Sequence, residues 1–185
     1  MRTGVLAVQG AFIEHRRIIE SLGTECVELR QRKDLSGIDG IILPGGESTV
    51  QGQLIRKTGM FDTIRDEIEK GLPVLATCAG LILLSGKIEG RNESHLGTLP
   101  VTVRRNAYGR QLGSFVTVGN VGDIKDFPEV YIRAPIIVDV SPGVSVLSMA
   151  GDDIVGVRYK SQIGLAFHPE MTEDTRIHEM FLRML

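Results

Sequence analysis

Cys78 and His168 are the two side chains of this sequence best placed for covalent catalysis, and their neighbours say how. Cys78 stands in Ala76-Thr77-Cys78-Ala79-Gly80, where the apolar stretch Pro73–Thr77 gives way to the helix-period run Ala79–Ser85. Small residues at a strand-to-helix switch allow a tight turn that lifts the side chain above a sheet, the geometry of a nucleophile elbow. A cysteine there faces the positive end of the following helix, which favours the thiolate. The backbone N–H of Ala79 is then placed to donate to an oxyanion. A cysteine taken at random is more often a buried structural residue; the elbow reverses those odds. Cys26, on a plain apolar strand with no such turn, keeps the structural reading.

A thiolate nucleophile needs a proton-transfer partner, and that partner needs a group to orient it. His168 follows the apolar run Ile163–Phe167, and His168-Pro169-Glu170 sets a carboxylate two residues on. With Glu170 on one ring nitrogen, the other faces the nucleophile in the correct tautomer. The chain order of cysteine, histidine and acid disfavours an α/β-hydrolase, whose acid precedes its histidine. The other histidines are expected in solvated roles: His15 and His178 lie on helix-period segments among charges, and His95 in a polar loop. A third element, Pro44-Gly45-Gly46-Glu47-Ser48, falls between a strand and a helix. Its paired glycines let backbone N–H groups point into a crevice as a second oxyanion donor. No Gly-Lys-Ser/Thr follows, so it is not a phosphate-binding P-loop. Standing alone, it would read equally well as an ordinary turn.

These residues must be held by a scaffold, and the first half of the chain supplies its pattern. Thr3–Val8, Thr24–Leu29, Gly40–Leu43 and Pro73–Thr77 read as short buried strands. Phe12–Leu22, Thr49–Lys57, Phe61–Lys70 and Ala79–Ser85 read as the helices between and after them. Fully apolar strands alternating with helices predict an open, mostly parallel sheet covered on both faces, a three-layer α/β arrangement. In the second half, strands are expected within Leu99–Val118, on either side of a polar turn at Arg104–Gly113. Further strands are expected at Val130–Arg133, Ile136–Val140, Val144–Met149, Ile154–Tyr159 and Ile163–Phe167. A last helix spans about Glu173–Leu185. This half reads as an antiparallel extension of the same sheet, so residues 1–185 form one domain.

The composition narrows the partners. Lys plus Arg is 21 and Asp plus Glu is 23, a net charge of −2, which argues against binding nucleic acid through many phosphate contacts. No apolar run approaches the ~20 residues of a membrane span, and the apolar start breaks at Gln9, unlike a secretion signal. Two cysteines in different contexts cannot make a disulfide framework, so a reducing cytoplasm is expected. Glycine is 22 of 185, about 12% against a usual ~7%, and in a chain without linkers or repeats that excess needs positions where only glycine fits.

PGGES, an elbow cysteine and His-Pro-Glu in this order resemble the class I, triad-type glutamine amidotransferases. Three more segments sharpen the resemblance. Gln9-Gly10-Ala11, Arg104-Arg105-Asn106-Ala107-Tyr108-Gly109-Arg110-Gln111 and Ile132-Arg133-Ala134-Pro135 are similar to those of the glutaminase subunits of pyridoxal 5′-phosphate synthases. It covers essentially the whole chain, and one departure is visible: Ala76 stands where many relatives have glycine. The resemblance implies a flavodoxin-like fold and a triad of Cys78, His168 and Glu170. It implies glutamine contacts at Gly46, Glu47, Ser48, Arg105, Ile132 and Arg133, and an oxyanion hole from Ala79 with Gly46 or Gly10. It also implies no cofactor or metal, and an ammonia-accepting barrel subunit that joins ribose 5-phosphate, glyceraldehyde 3-phosphate and ammonia into pyridoxal 5′-phosphate. Two other readings stand beside it: a cysteine peptidase or related hydrolase on a similar sheet, and a catalytically silent binding module.

Overall fold

A computed structural model describes every residue except Glu93 and residues 109–112. The first half is built as the apolar pattern predicts. Strand β1 (Arg2–Leu6) leads into α1 (Phe12–Ser21), and β2 (Glu25–Leu29) into β3 (Gly40–Leu43) by way of a 3-10 turn at Arg32–Leu35. Helices α2 (Ser48–Lys57) and α3 (Phe61–Glu69) precede β4 (Val74–Thr77), and α4 (Ala79–Leu84) follows it. Next come β5 (Ser85–Ile88), β6 (Leu99–Arg104), β7 (Ser114–Val121), β8 (Ile124–Ile132), β9 (Ile136–Val140), β10 (Ser145–Ala150), β11 (Asp153–Tyr159) and β12 (Gln162–Leu165). A 3-10 turn at Pro169–Met171 and helix α5 (Arg176–Leu182) close the chain.

The main sheet runs in the order β2-β1-β3-β4-β12-β11-β9-β6-β5, with β10 beside β11. Strands β2, β1, β3, β4 and β12 are parallel to their neighbours, and β12 then meets β11 antiparallel. All four residues of β3, β4 and β12 are buried. Because successive strand residues face opposite sides, such burial requires cover on both faces. The helices fall into two packed groups, α1 touching α5 through His15 and His178 and α2 packing on α4. Among the described residues no helix is long and apolar enough to cross a membrane.

The antiparallel extension is present, with corrections. Strands β7 and β8 do not join the main sheet; they pair with each other as a separate two-stranded ribbon. The expected Val130–Arg133 strand is only the end of β8, whose earlier residues include Lys125, Asp126 and Pro128 and carry no strand pattern. A ribbon with an exposed face tolerates such residues where a central strand would not. The other addition is β5, a short Ser-Gly-Lys-Ile segment that begins where α4 ends and pairs parallel with β6. The final helix is shorter than expected: it starts at Arg176, not Glu173, and its last turn tightens into bonds three residues apart, from Met184 N–H to Phe181 and from Leu185 N–H to Leu182.

Candidate active site

The elbow forms because β4 is pinned on both sides and α4 starts at once. Cys78 N–H donates to the Leu165 carbonyl at 2.8 Å, extending the β4–β12 pairing by one residue. Cys78 itself takes φ 48° and ψ −101°. A non-glycine residue in that region costs on the order of 1–3 kcal/mol, and such strain gathers at functional sites. Its Sγ lies 3.8 Å from the Ile132 carbonyl oxygen.

His168 arrives from the end of β12 and is held by the neighbouring ribbon, its N–H donating to Val130 of β8 at 2.8 Å. Its Nδ1 is 2.7 Å from Glu170 Oε1. The other ring nitrogen is left for Cys78, and both His168 and Glu170 are buried. Burial alone would make the imidazole less basic. The adjacent Cys78 sulfur and the hydrogen bond with Glu170, with the charges of both, outweigh that and push His168 up to about 10. Burial likewise opposes the Glu170 charge, but His15 and His168 outweigh it and hold the carboxyl below its ordinary range. The arrangement is a protonated imidazole between a sulfur and a buried carboxylate, ready to give a proton to a leaving group.

The Pro44–Ser48 loop is fitted against this pair. A β-carbon on Gly45 would overlap the His168 ring, so only glycine lets the loop approach so closely. Gly45 N–H donates to Thr77 Oγ1 at 3.1 Å, and the Gly45 carbonyl accepts from Ala11 at 3.0 Å. Gly10 has φ +99°, and a β-carbon there would overlap that same carbonyl. The two loops are further bolted by Gln9, whose Oε1 accepts the Glu47 N–H at 2.9 Å, and by Gln51, whose Nε2 donates to the Gln9 carbonyl at 3.0 Å.

A cleft of about 320 Å³ opens above the elbow. Its walls include Cys78, Ala79, His168, Gly10, Gly46, Glu47, Ser48, Arg105, Ile132 and Arg133, so every expected site residue except Glu170 reaches it. Glu170 lies beneath, behind His168. Arg105 Nη2 is 2.8 Å from Glu47 Oε1, so a cation and a carboxylate sit side by side on one wall. That wall suits a zwitterion with an α-carboxylate and an α-ammonium. Ser48 Oγ is buried with no hydrogen-bond partner among the described residues. Arg133 stands at φ 45°, tied by its N–H to Gly113. Gly109, Arg110 and Gln111 of the expected substrate-facing turn lie outside the described residues.

Two expectations about histidines are overturned. His15 and His178 are fully buried, not solvated, and His15 Nε2 stands 3.3 Å from Glu170 Oε2. Charged neighbours on both helices suggested solvent, yet His15 shares a helix face with Phe12, Ile19 and Leu22, and that spacing was the available signal. His95 is partly buried against Gly52 of α2. Thr77, Gln9 and Gln51 also support the site; Thr77 belongs to the elbow segment and Gln9 to the Gln-Gly-Ala segment, whereas no sequence pattern marks Gln51. Cys26 keeps its structural reading, its thiol pushed up to about 12 by burial and the charges of Glu20 and Glu28.

A model of the SNO glutamine amidotransferase family matches residues 5–185. The pyridoxal 5′-phosphate synthase subunit PdxT of Desulfitobacterium hafniense (strain Y51) is 58% identical over 183 residues, 98% of this chain and 92% of that protein. The protein of the same name from Streptococcus pneumoniae (serotype 2, strain D39) is 48% identical over 188 residues, 100% of this chain and 97% of its own. A crystal structure of a glutamine amidotransferase superposes with a TM-score of 0.94 at 43% identity, over 98% of this chain and 97% of that one. The structure of PurLQS from Thermotoga maritima, at 20% identity and TM-score 0.65, shares the fold.

Proposed function

This chain belongs to the SNO glutamine amidotransferase family, and from that premise we propose that it hydrolyses L-glutamine through Cys78, His168 and Glu170. It is the glutaminase subunit of a pyridoxal 5′-phosphate synthase. The observation that carries the residue assignment is the buried line from Glu170 through His168 to a cysteine held at positive φ above the glycine loop.

The Cys78 thiolate attacks the side-chain amide carbon of glutamine, held by Glu47 and Ser48 from the glycine loop and by Arg105, Ile132 and Arg133 from the antiparallel end. The developing oxyanion accepts from the Ala79 N–H, the first of α4 and so without an intrahelical acceptor, and from N–H groups of the Gly46 or Gly10 loops. The C–N bond breaks as the His168 imidazolium gives its proton to the leaving nitrogen, which departs as ammonia. The glutamyl thioester remains. His168, now neutral, takes a proton from water as the hydroxyl attacks. The C–S bond breaks, releasing glutamate and restoring the thiolate and the imidazolium.

Ammonia free in water at neutral pH is mostly protonated and non-nucleophilic, so it must pass to an acceptor without equilibrating with solvent. The acceptor is a barrel-shaped synthase subunit that combines it with ribose 5-phosphate and glyceraldehyde 3-phosphate, and the complex works in the cytoplasm. Docking of that subunit completes the oxyanion hole by turning the Gln9–Gly10 segment, which Gly10 permits. Glutamine turnover that is already maximal without a partner would remove this switch. The triad is tested by Cys78→Ala and His168→Asn, assayed for glutamate release with the synthase subunit present. Both abolish release and leave the circular dichroism native, and a glutamine-analogue chloroketone labels Cys78. Full glutaminase activity in either variant would overturn the assignment.

A further inference from the structure

Glu170 orients His168 with one carboxylate oxygen, and the reaction above leaves the other unexplained. Oε2 is buried and makes no well-aligned hydrogen bond among the described residues. His15 Nε2, brought by α1, lies 3.3 Å from it, with both side chains wholly shut from solvent. The same nitrogen is 3.2 Å from Thr77 Oγ1, the oxygen that accepts the Gly45 N–H. On its far side His15 Nδ1 is 2.9 Å from Nε2 of His178 on α5. An otherwise structural histidine would direct its nitrogens to backbone. His15 directs one to the carboxylate that serves His168 and to the hydroxyl that holds the glycine loop, and the other to a second buried ring.

The protons in this line have one consistent placement. Burial makes both imidazoles less basic, His178 the more so, with Glu170 opposing the effect at His15, and a neutral ring carries a single N–H. A proton on His15 Nδ1 would leave the Nε2 lone pair facing a carboxylate in a dry site, where two acceptors repel. With the proton on Nε2, that N–H points at Thr77 with Glu170 Oε2 beside it, and Nδ1 accepts from His178 Nε2–H. His178 Nδ1, at the outer end of this line, then stays without a partner among the described residues.

We propose that His15 is a positioning residue for glutamine hydrolysis, its Nε2–H holding the second oxygen of Glu170 while His178 fixes the ring that presents it. The inference rests on the Cys78–His168–Glu170 reading above. Without this donor Glu170 Oε2 is a buried carboxylate oxygen with no partner among the described residues, and the carboxyl turns away or takes up a proton. Either change weakens the His168 imidazolium and with it the thiolate beside it. The groups that face His15 are Glu170, with His168 beyond it, from the segment after β12; His178 from α5; Thr77 from β4; and Glu14 on its own helix.

The test compares His15→Leu, His15→Asn and His15→Gln. Gln sets its amide nitrogen about where imidazole Nε2 sits, whereas Asn stops an atom short. Two readouts are taken: kcat and KM for glutamine hydrolysis with the synthase subunit present, and the pH dependence of Cys78 alkylation by iodoacetamide on the chain alone. Support of this kind for a reacting group is typically worth about 10–100-fold. For Leu and Asn, kcat falls by that factor, KM stays within about twofold, and the alkylation midpoint rises by about one pH unit. Gln restores both to near the wild-type values. Leu is the variant most exposed to folding failure, and the Asn–Gln pair, polar and similar in size, then decides alone. Equal behaviour of Asn and Gln, or a lower kcat with an unmoved alkylation midpoint, would overturn the role of His15. An active Cys78→Ala would instead remove the triad reading; an inactive Cys78→Ala beside a fully active His15→Leu removes only the present proposal.

Discussion

At the parallel end of the sheet the reacting groups are held by main chain that has nowhere to go. Cys78 N–H is bonded across to β12, the Gly45 backbone lies against the His168 ring, and the Gly10 loop lies against the Gly45 carbonyl. At the antiparallel end, Arg105 and Arg133 hang from turns, Arg105 half-buried and Arg133 exposed. Their neighbours are side chains and single backbone bonds, such as Ala107 N–H to Ala134 at 3.1 Å. The cleft thus has one wall set by steric exclusion and another set by adaptable polar contacts. Chemistry belongs to the first, where sub-ångström placement matters, and recognition of a small zwitterion to the second. Damage to the first wall should therefore appear in kcat, and damage to the second in KM.

The harshest test of that division is a single methyl group. Gly45→Ala places a β-carbon where the His168 ring now is, so either the ring or the loop must shift. Losing one aligned group in such a site typically costs ~10²–10³ in rate. The variant is expected to lose at least about 100-fold in kcat in steady-state assays with the synthase subunit, while its circular dichroism stays native. A loss of only a few-fold would show that the glycine wall is adaptable too.

The next test uses pH and the two cysteines. The His168 proton is needed to expel ammonia, and it is held up to about 10. The kcat/KM for glutamine should therefore stay flat from neutrality to about pH 9 and fall as pH rises through about 10. Stability follows the same sign. The raised value of His168 gives stabilisation that is full below the ordinary histidine pKa of ~6.5 and is lost as pH climbs through about 10. Glu170, held low, gives stabilisation present above the ordinary ~4.3 of a glutamate and lost as pH falls through its own lower value. Iodoacetamide at pH 8 should modify Cys78 alone, since the Cys26 thiol is pushed up to about 12. Peptide mass mapping reads this directly, and modification of Cys26 at a comparable rate would contradict it.

What could be read from the residues alone follows the same line between the walls. The elbow, the Gly45–Gly46 turn and His168-Pro169-Glu170 are local patterns, each written in a few consecutive residues, and the parallel strands that carry them are plain apolar runs. β3 lies just where its apolar run lies, at Gly40–Leu43. The ribbon of β7 and β8 is different, because its pairing, Phe115 with Tyr131 and Val118 with Pro128, joins distant residues by register. No local pattern marks a strand that contains Lys125, Asp126 and Pro128. His15 and His178 are illegible locally for another reason: each is one polar residue on a charged helix, and its burial depends on the other element it meets.

A milder perturbation probes the recognition wall. Arg105 reaches Glu47 at 2.8 Å and Thr49 Oγ1 at 3.4 Å, with its guanidinium edge along the cleft. Arg105→Lys keeps the charge and loses the fork that matches a carboxylate with two hydrogen bonds. The expected result is a KM for glutamine about tenfold higher with kcat within about threefold. A kcat loss as large as that of Gly45→Ala would break the division between the walls.

The smallest expected effect comes from the residue next door. Arg104 ends β6 and pairs with Glu89 through both its Nε and Nη2, yet both partners are about half exposed. Successive residues at a strand end point to opposite sides, so Arg104 and Arg105 share a sequence signature of two adjacent arginines but not a surface. An exposed ion pair typically contributes no more than about 1 kcal/mol, because water screens the charges and ordering two long side chains costs entropy. Arg104→Ala is therefore expected to lower the melting temperature by no more than a few degrees, about 2–4 °C for a chain of this size. It should leave kcat and KM for glutamine unchanged. The comparison with Arg105→Lys is informative because the two substitutions are adjacent in the chain. If Arg104→Ala raised KM as Arg105→Lys does, the recognition wall would extend past the cleft to the outer face of β6, and position along the turn, not contact with the cleft, would decide what an arginine does here.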